Sequence, residues 1–246
     1  MTMRLTAVLA SLVLLLPAGA RAVPVDLELV LAADVTNSIN DTEFELQRQG
    51  YADAFRSAAV QDAITGGSIG SIAVSLVYWV AGSKMEQSLD WQLVDSAPAA
   101  DALAASIEGI ARPFSGSPTR PGDALDFIVG AGGGSSDNLF DDNGFEGTRN
   151  VVDLSSDGPI NRPASLGTNT AGQRDNALAS GVDTINALLI NPQDVGGSSF
   201  IDWYEDNVIG GPDAFVTTAA DFDDFGTAMA GKLETEVRGG TPTPEP

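Results

Sequence analysis

The chain has 246 residues, with 34 Asp and Glu against 12 Lys and Arg, a net charge of −22, and neither Cys nor His. These counts exclude disulfides, thiolate nucleophiles, iron–sulfur centres, Ser-His-Asp triads and metal sites built on Cys or His. They weigh against nucleic acid as a partner, since phosphates would be repelled, while 43% hydrophobic and 19% charged residues set the chain apart from a disordered acidic tail.

The first element is a targeting segment. Arg4 supplies a positive start, residues 5–16 are apolar, and Ala20-Arg21-Ala22 offers a cleavage site. That apolar stretch is well short of the roughly 20 residues of a bilayer-spanning helix. Residues 1–22 are therefore expected to act as a signal peptide, and no later segment is long and apolar enough to span a membrane. One domain over residues 23–238 follows, placed in the periplasm, at the cell surface or outside the cell.

Within that domain, residues 25–33 (VDLELVLAA) pass from alternating to continuous apolar, as a strand entering a buried sheet does. Residues 41–64 carry Phe44, Tyr51, Ala54, Phe55 and Ala58 at helical spacing, with Asn40 and Glu43 as a capping pair. A second buried strand is expected at 70–80, with a hairpin or edge partner at 84–91. Helices follow at 97–110 and 121–129, where Pro121 suits a first turn. A strand lies within 148–156 and a helix at 171–181. Short inner strands are expected at 185–190 and 214–218, and an amphipathic helix at 221–237 closes the domain. Residues 204–211 read as a polar, Gly-ended loop. Trp79, Trp91 and Trp203 read as core-filling side chains. Residues 239–246 form a Pro-rich tail that cannot extend the last helix. Its Pro244-Glu245-Pro246 resembles the opening of the PEP-CTERM sorting signal, without the apolar helix and Arg cluster that continue it; a cut signal and a chance likeness both stay open. Strand and helix alternate throughout, which predicts an α/β fold with a mostly parallel sheet covered on both faces. Ligands of such sheets sit beyond the carboxyl ends of the strands.

Three tempting motifs fail. Gly226, Gly231 and Lys232 match most of a phosphate-binding loop, but Leu233 stands where Ser or Thr is needed, inside a helical pattern. Gly130, Gly132, Gly133 and Gly134 follow a helix, and no spacing completes a dinucleotide fingerprint. In the acidic run 137–146, a calcium-hand register centred on Gly144 puts Leu139 first and Asn150 last, where carboxylates are required.

Three polar segments remain. Asp34-Val35-Thr36-Asn37-Ser38 follows the first strand, and extended chain would point Asp34, Thr36 and Ser38 the same way. One carboxylate and two hydroxyls are hard oxygen ligands, suited to Mg²⁺, Mn²⁺ or Ca²⁺. Thr119 lies in a loop before a helix, and Asp157-Gly158 just past an inner strand; singly, these read as a helix start and a turn.

Together and in this order, the three segments resemble the von Willebrand factor A (vWA) domain. That family's metal-ion-dependent adhesion site combines an Asp-x-Ser-x-Ser loop, a Thr from a second loop and an Asp from a third. The stretches VDLELVLAADVTNSIN, RNVVDLSSDGPIN, INALLI, NVIGGPDAFV and KLETEV extend the likeness to an exported bacterial subfamily with no assigned activity. The resemblance implies a doubly wound, Rossmann-like vWA fold with a short antiparallel edge strand. It implies a site of Asp34, Thr36, Ser38, Thr119 and Asp157 holding a divalent cation, Mg²⁺ first and Mn²⁺ or Ca²⁺ next. Thr36 replaces the usual Ser and Asn37 the common Gly. The implied function is binding or adhesion rather than catalysis: a protein partner offers an Asp or Glu side chain to the ion. A metal-assisted hydrolase and a matrix protein whose ion only stabilises the loops are the alternatives.

Overall fold

The apolar run after Asp26 becomes the centre of a sheet. In the computed structural model, which describes residues 21–131, 137–158, 169–193 and 199–240, the chain begins with strands β1 (Val23–Val25) and β2 (Leu27–Asp34), then helices α1 (Asp41–Arg56) and α2 (Ala58–Thr65). Strands β3 (Ile72–Trp79) and β4 (Met85–Val94) precede helices α3 (Ala97–Glu108) and α4 (Pro121–Ile128). The second half runs β5 (Phe145–Gly147), β6 (Asn150–Ser156), α5 (Thr170–Ala179), β7 (Thr184–Ile190), α6 (Phe200–Asn207), β8 (Val216–Ala219) and α7 (Phe225–Arg238). The expected leader falls almost wholly outside the described residues, as do Gly132, Gly133, Gly134 and the tail from 241 on. Among the described residues no helix is long and apolar enough to cross a membrane.

Six strands form the main sheet in the order β4-β3-β2-β6-β7-β8. All neighbours are parallel except β3 and β4. The edge strand β4 is antiparallel, as expected, but with ten residues it is not short. It mixes buried, half-buried and exposed positions, with shifts of register against β3, whereas β2 and β3 are buried throughout. Period-2 side chains of β2 divide the core. Leu27, Leu29, Leu31 and Ala33 join a cluster with α1, α2, α3 and α7, while Val30 and Ala32 join one with α4, α5 and α6. Trp79 is fully buried in the second cluster, and Trp91 and Trp203 pack against it. The architecture is the doubly wound α/β fold of the vWA type.

Several boundaries differ for local reasons. The helix expected over 41–64 is two helices, because Ser57 is extended and its hydroxyl accepts from Val60 N to cap α2. The capping box of Asn40 and Glu43 is present. The loop expected at 204–211 begins inside α6, where Phe200 and Tyr204, one turn apart, are buried and stack edge to face. The closing helix starts at Phe225 rather than 221, since Asp221 Oδ1 accepts from the amides of Asp223 and Asp224 and holds a turn there. The three-residue strands β1 and β5 pair with each other in a separate parallel ribbon too short for periodicity to reveal.

Gly226, the first glycine of the rejected phosphate loop, lies where α7 crosses α1. A Cβ on it would meet Gly50 Cα at 3.2 Å, so the glycine serves close helix packing. Further along α7, Lys232 is fully buried between Asp153, 2.7 Å away, and Glu236.

Candidate metal centre

The carboxyl ends of β2 and β6 lie side by side, because Ala33 pairs with Ser155. The chain leaves β2 at Asp34 in a turn closed by Ile39 N donating to Thr36 O at 3.1 Å. The Thr36 amide donates to Asp34 Oδ1 at 2.8 Å, and the Thr36 and Ser38 hydroxyls lie 2.9 Å apart. Asp34, Thr36 and Ser38 are thus gathered, but by this turn rather than by extended alternation beyond the strand.

Ser38 donates to Asp157 Oδ1, just past β6, at 2.8 Å, and Ser156 at the end of β6 donates to Asp34 Oδ2 at 2.6 Å. Thr119 approaches from the loop before α4. It is fully buried, and its Oγ1 lies 3.9 Å from a Cβ built on Gly158. The same loop is tied to the first, since Asn37 N donates to Gly116 O at 2.7 Å. Asp34 at the end of β2, and Thr36, Ser38, Thr119 and Asp157 on the three loops beyond the strand ends, therefore lie near one another. Asp34, Thr36 and Thr119 are buried, whereas Ser38 is exposed and opens the cluster to solvent.

Burial raises Asp34 to about 7, and the neighbouring Asp157 adds to the rise; bonds from Ser156 and Thr36 oppose it. Burial also raises Asp157, against the Ser38 hydroxyl, with Glu43 adding a smaller upward push. Neither acid forms an ion pair with Lys or Arg among the described residues. Two half-compensated acids beside three hydroxyls form a hard, all-oxygen donor set that fits Mg²⁺, Mn²⁺ or Ca²⁺. Among the described residues no group of three or more acids forms a metal cage, so an ion here would rely on hydroxyls as well as carboxylates.

Three supporting residues escaped the sequence reading. Ser156 is hidden in a run of polar letters at the end of β6. Tyr204 arrives from α6, where its hydroxyl donates to Gly158 O at 3.5 Å; burial raises its pKa. Arg112, in the stretch between α3 and α4, donates to the carbonyls of Val35, Thr36 and Ile39. Each acts across a distance in sequence that no spacing rule covers.

A family model described as a protein of unknown function (DUF1194) matches residues 24–241. No curated protein matches the chain. Among solved structures, proximal thread matrix protein 1 of the mussel byssus is similar, with a TM-score of 0.57 at 15% identity over 88% of this chain and 49% of that one. Another crystal of that protein has a zinc-occupied adhesion-site motif. The pilus adhesin SpaC of Lactobacillus rhamnosus GG gives 0.54 at 16% identity, over 89% of this chain and 31% of its own. The PilB minor pilin of Streptococcus sanguinis gives 0.53 at 12%, over 94% and 65%. The chain spans less than two thirds of each of these neighbours, and the likeness is one of fold.

Proposed function

The chain belongs to the DUF1194 family of proteins of unknown function, and on that premise we propose that it is an exported, divalent-cation-dependent binding module. The observation that carries this reading is the meeting of Asp34 and Asp157, which pair with no Lys or Arg among the described residues, beside the hydroxyls of Thr36, Ser38 and Thr119. A cation there, Mg²⁺ foremost, would relieve the repulsion between the two carboxylates. Hydroxyl ligands add no charge, so the ion stays electrophilic and draws an Asp or Glu side chain of a protein partner into an open coordination position. Ser38 and Asn37 are exposed, which leaves the approach from solvent open. Structural likeness to an adhesin, a pilin and a byssal matrix protein supports binding over turnover. Both Asp34 oxygens are already engaged by hydrogen bonds, which favours a structural ligand over a general base.

The test is affinity capture from a surface fraction of the source cells, using immobilised wild type and Asp157→Ala. The expected result is capture that needs Mg²⁺, stops with chelator and is lost in the variant. Capture indifferent to chelator and to Asp157 would overturn the proposal; capture kept by the variant, with its stability lowered, would indicate an ion that only stabilises the loops.

A further inference from the structure

We infer that Arg112 is the positioning residue of the cation site, holding the 35–39 turn so that it presents side-chain rather than backbone oxygens; this rests on the cation-binding reading above. One guanidinium nitrogen, Nη2, lies 2.9 Å from Val35 O, 3.0 Å from Thr36 O and 2.9 Å from Ile39 O. The other, Nη1, lies 3.2 Å from Asp41 Oδ1, and the guanidinium carbon sits 5.6 Å from the centre of the Phe44 ring. The turn that carries Asp34, Thr36 and Ser38 is therefore wound around a single cationic group. A planar fork held against a ring and a carboxylate has little freedom left, so the turn is set before any ion arrives.

The same contacts bear on ion choice. Ca²⁺ takes six to eight oxygens and readily recruits backbone carbonyls, whereas Mg²⁺ prefers compact octahedral sets. Arg112 engages the carbonyls of Val35, Thr36 and Ile39, so fewer backbone oxygens of this loop are available beside the side chains of Asp34, Thr36 and Ser38. That disposition favours the smaller ion.

Arg48 provides a matched control. It also stands over Phe44, at 5.8 Å, and donates to a backbone carbonyl, Ile110 O at 2.8 Å, but among the described residues it makes no hydrogen bond or ion pair with the 35–39 turn. The experiment measures Mg²⁺ and Ca²⁺ affinities of the full chain by calorimetry for wild type, Arg112→Met and Arg48→Met, with folding checked by circular dichroism. Arg112→Met should lose about 10- to 100-fold in Mg²⁺ affinity, the range of lost outer-shell support, and its preference for Mg²⁺ over Ca²⁺ should shrink. Arg48→Met should stay within threefold of wild type. Should Arg112→Met not fold, Arg112→Lys, which lacks the fork, takes its place with the same expectation. Amide exchange at residues 36–39, followed in chelator, reads the turn without any ion and should quicken in the Arg112 variant alone. Unchanged affinity, equal losses for both ions, or equal effects of the two variants would overturn the inference. A wild type that takes up neither ion, with exchange still quickened by Arg112→Met, would instead defeat the cation reading and leave only the turn's anchor.

Discussion

Ser156 donates its hydroxyl proton to Asp34 Oδ2 at 2.6 Å, joining two strand ends 122 positions apart in sequence. The bond favours the charged carboxylate and so opposes the rise that burial imposes on Asp34. Ser156→Ala should cost about 1–3 kcal/mol above pH 7, where a charged acceptor loses a donor. The cost should shrink near pH 5, where Asp34 holds its own proton. Urea unfolding of both proteins at the two pH values checks this.

Asp34→Asn should have opposite effects with and without an ion. Without divalent cation at pH 8, the variant should melt higher than wild type, because no charge is left in a buried position. With millimolar Mg²⁺ the order should reverse, since only the wild type gains from ion binding. Thermal melts in chelator and in Mg²⁺ measure both arms, and a variant destabilised equally in both would count against a charged ligand at this position.

The pH dependence follows from the same carboxyl group. Asp34 keeps its proton in the folded chain up to about 7 but releases it near 3.8 when unfolded. Between those values the native state binds the extra proton, so stability falls as pH rises. Its contribution is complete below 3.8, is lost through 7, and amounts to an effect on the order of 4 kcal/mol. Asp157, also raised, acts in the same direction. The difference in unfolding free energy between wild type and Asp34→Asn, measured in chelator from pH 4 to 8, isolates the Asp34 part. A flat difference would contradict the assignment.

At the far side of the sheet, Lys232 is the base between two buried acids, Asp153 and Glu236, and Asn186 Nδ2 also donates to Glu236 at 2.7 Å. Burial and the nearby Asp153 push Glu236 up, and Lys232 holds it back. Lys232→Met leaves the acids uncompensated and should cost about 3–5 kcal/mol. Adding Glu236→Gln should recover part of that loss, as denaturant unfolding of the single and double variants would report.

The amino-acid pattern made the sheet legible where burial is continuous. Residues 25–33 and 70–80 announce strands because both faces of a parallel sheet are covered, and Asn40 with Glu43 announces a helix start through a local capping box. The five residues proposed for the site were singled out through the resemblance to the vWA family, since Thr119 and Asp157 taken singly read as a helix start and a turn. Helix α6 was not legible, since two buried aromatics in eight residues carry little periodicity beside the polar letters of Asp202, Glu205 and Asp206. The break at Ser57 is set by a hydroxyl that caps α2, inside an otherwise helical pattern. Ser156 and Arg112 gain their roles from strand pairing and chain crossing, which only the folded arrangement brings about.

Asp34 and its neighbours are proposed to bind a divalent cation. Titrating Mg²⁺ into chelator-treated protein at pH 8 in a calorimeter, for wild type and Asp34→Ala, decides whether they do. A saturable one-site heat is expected in the wild type, accompanied by a rise in melting temperature, and neither in the variant. No heat and no shift in the wild type, or the same response in both proteins, would contradict that proposal.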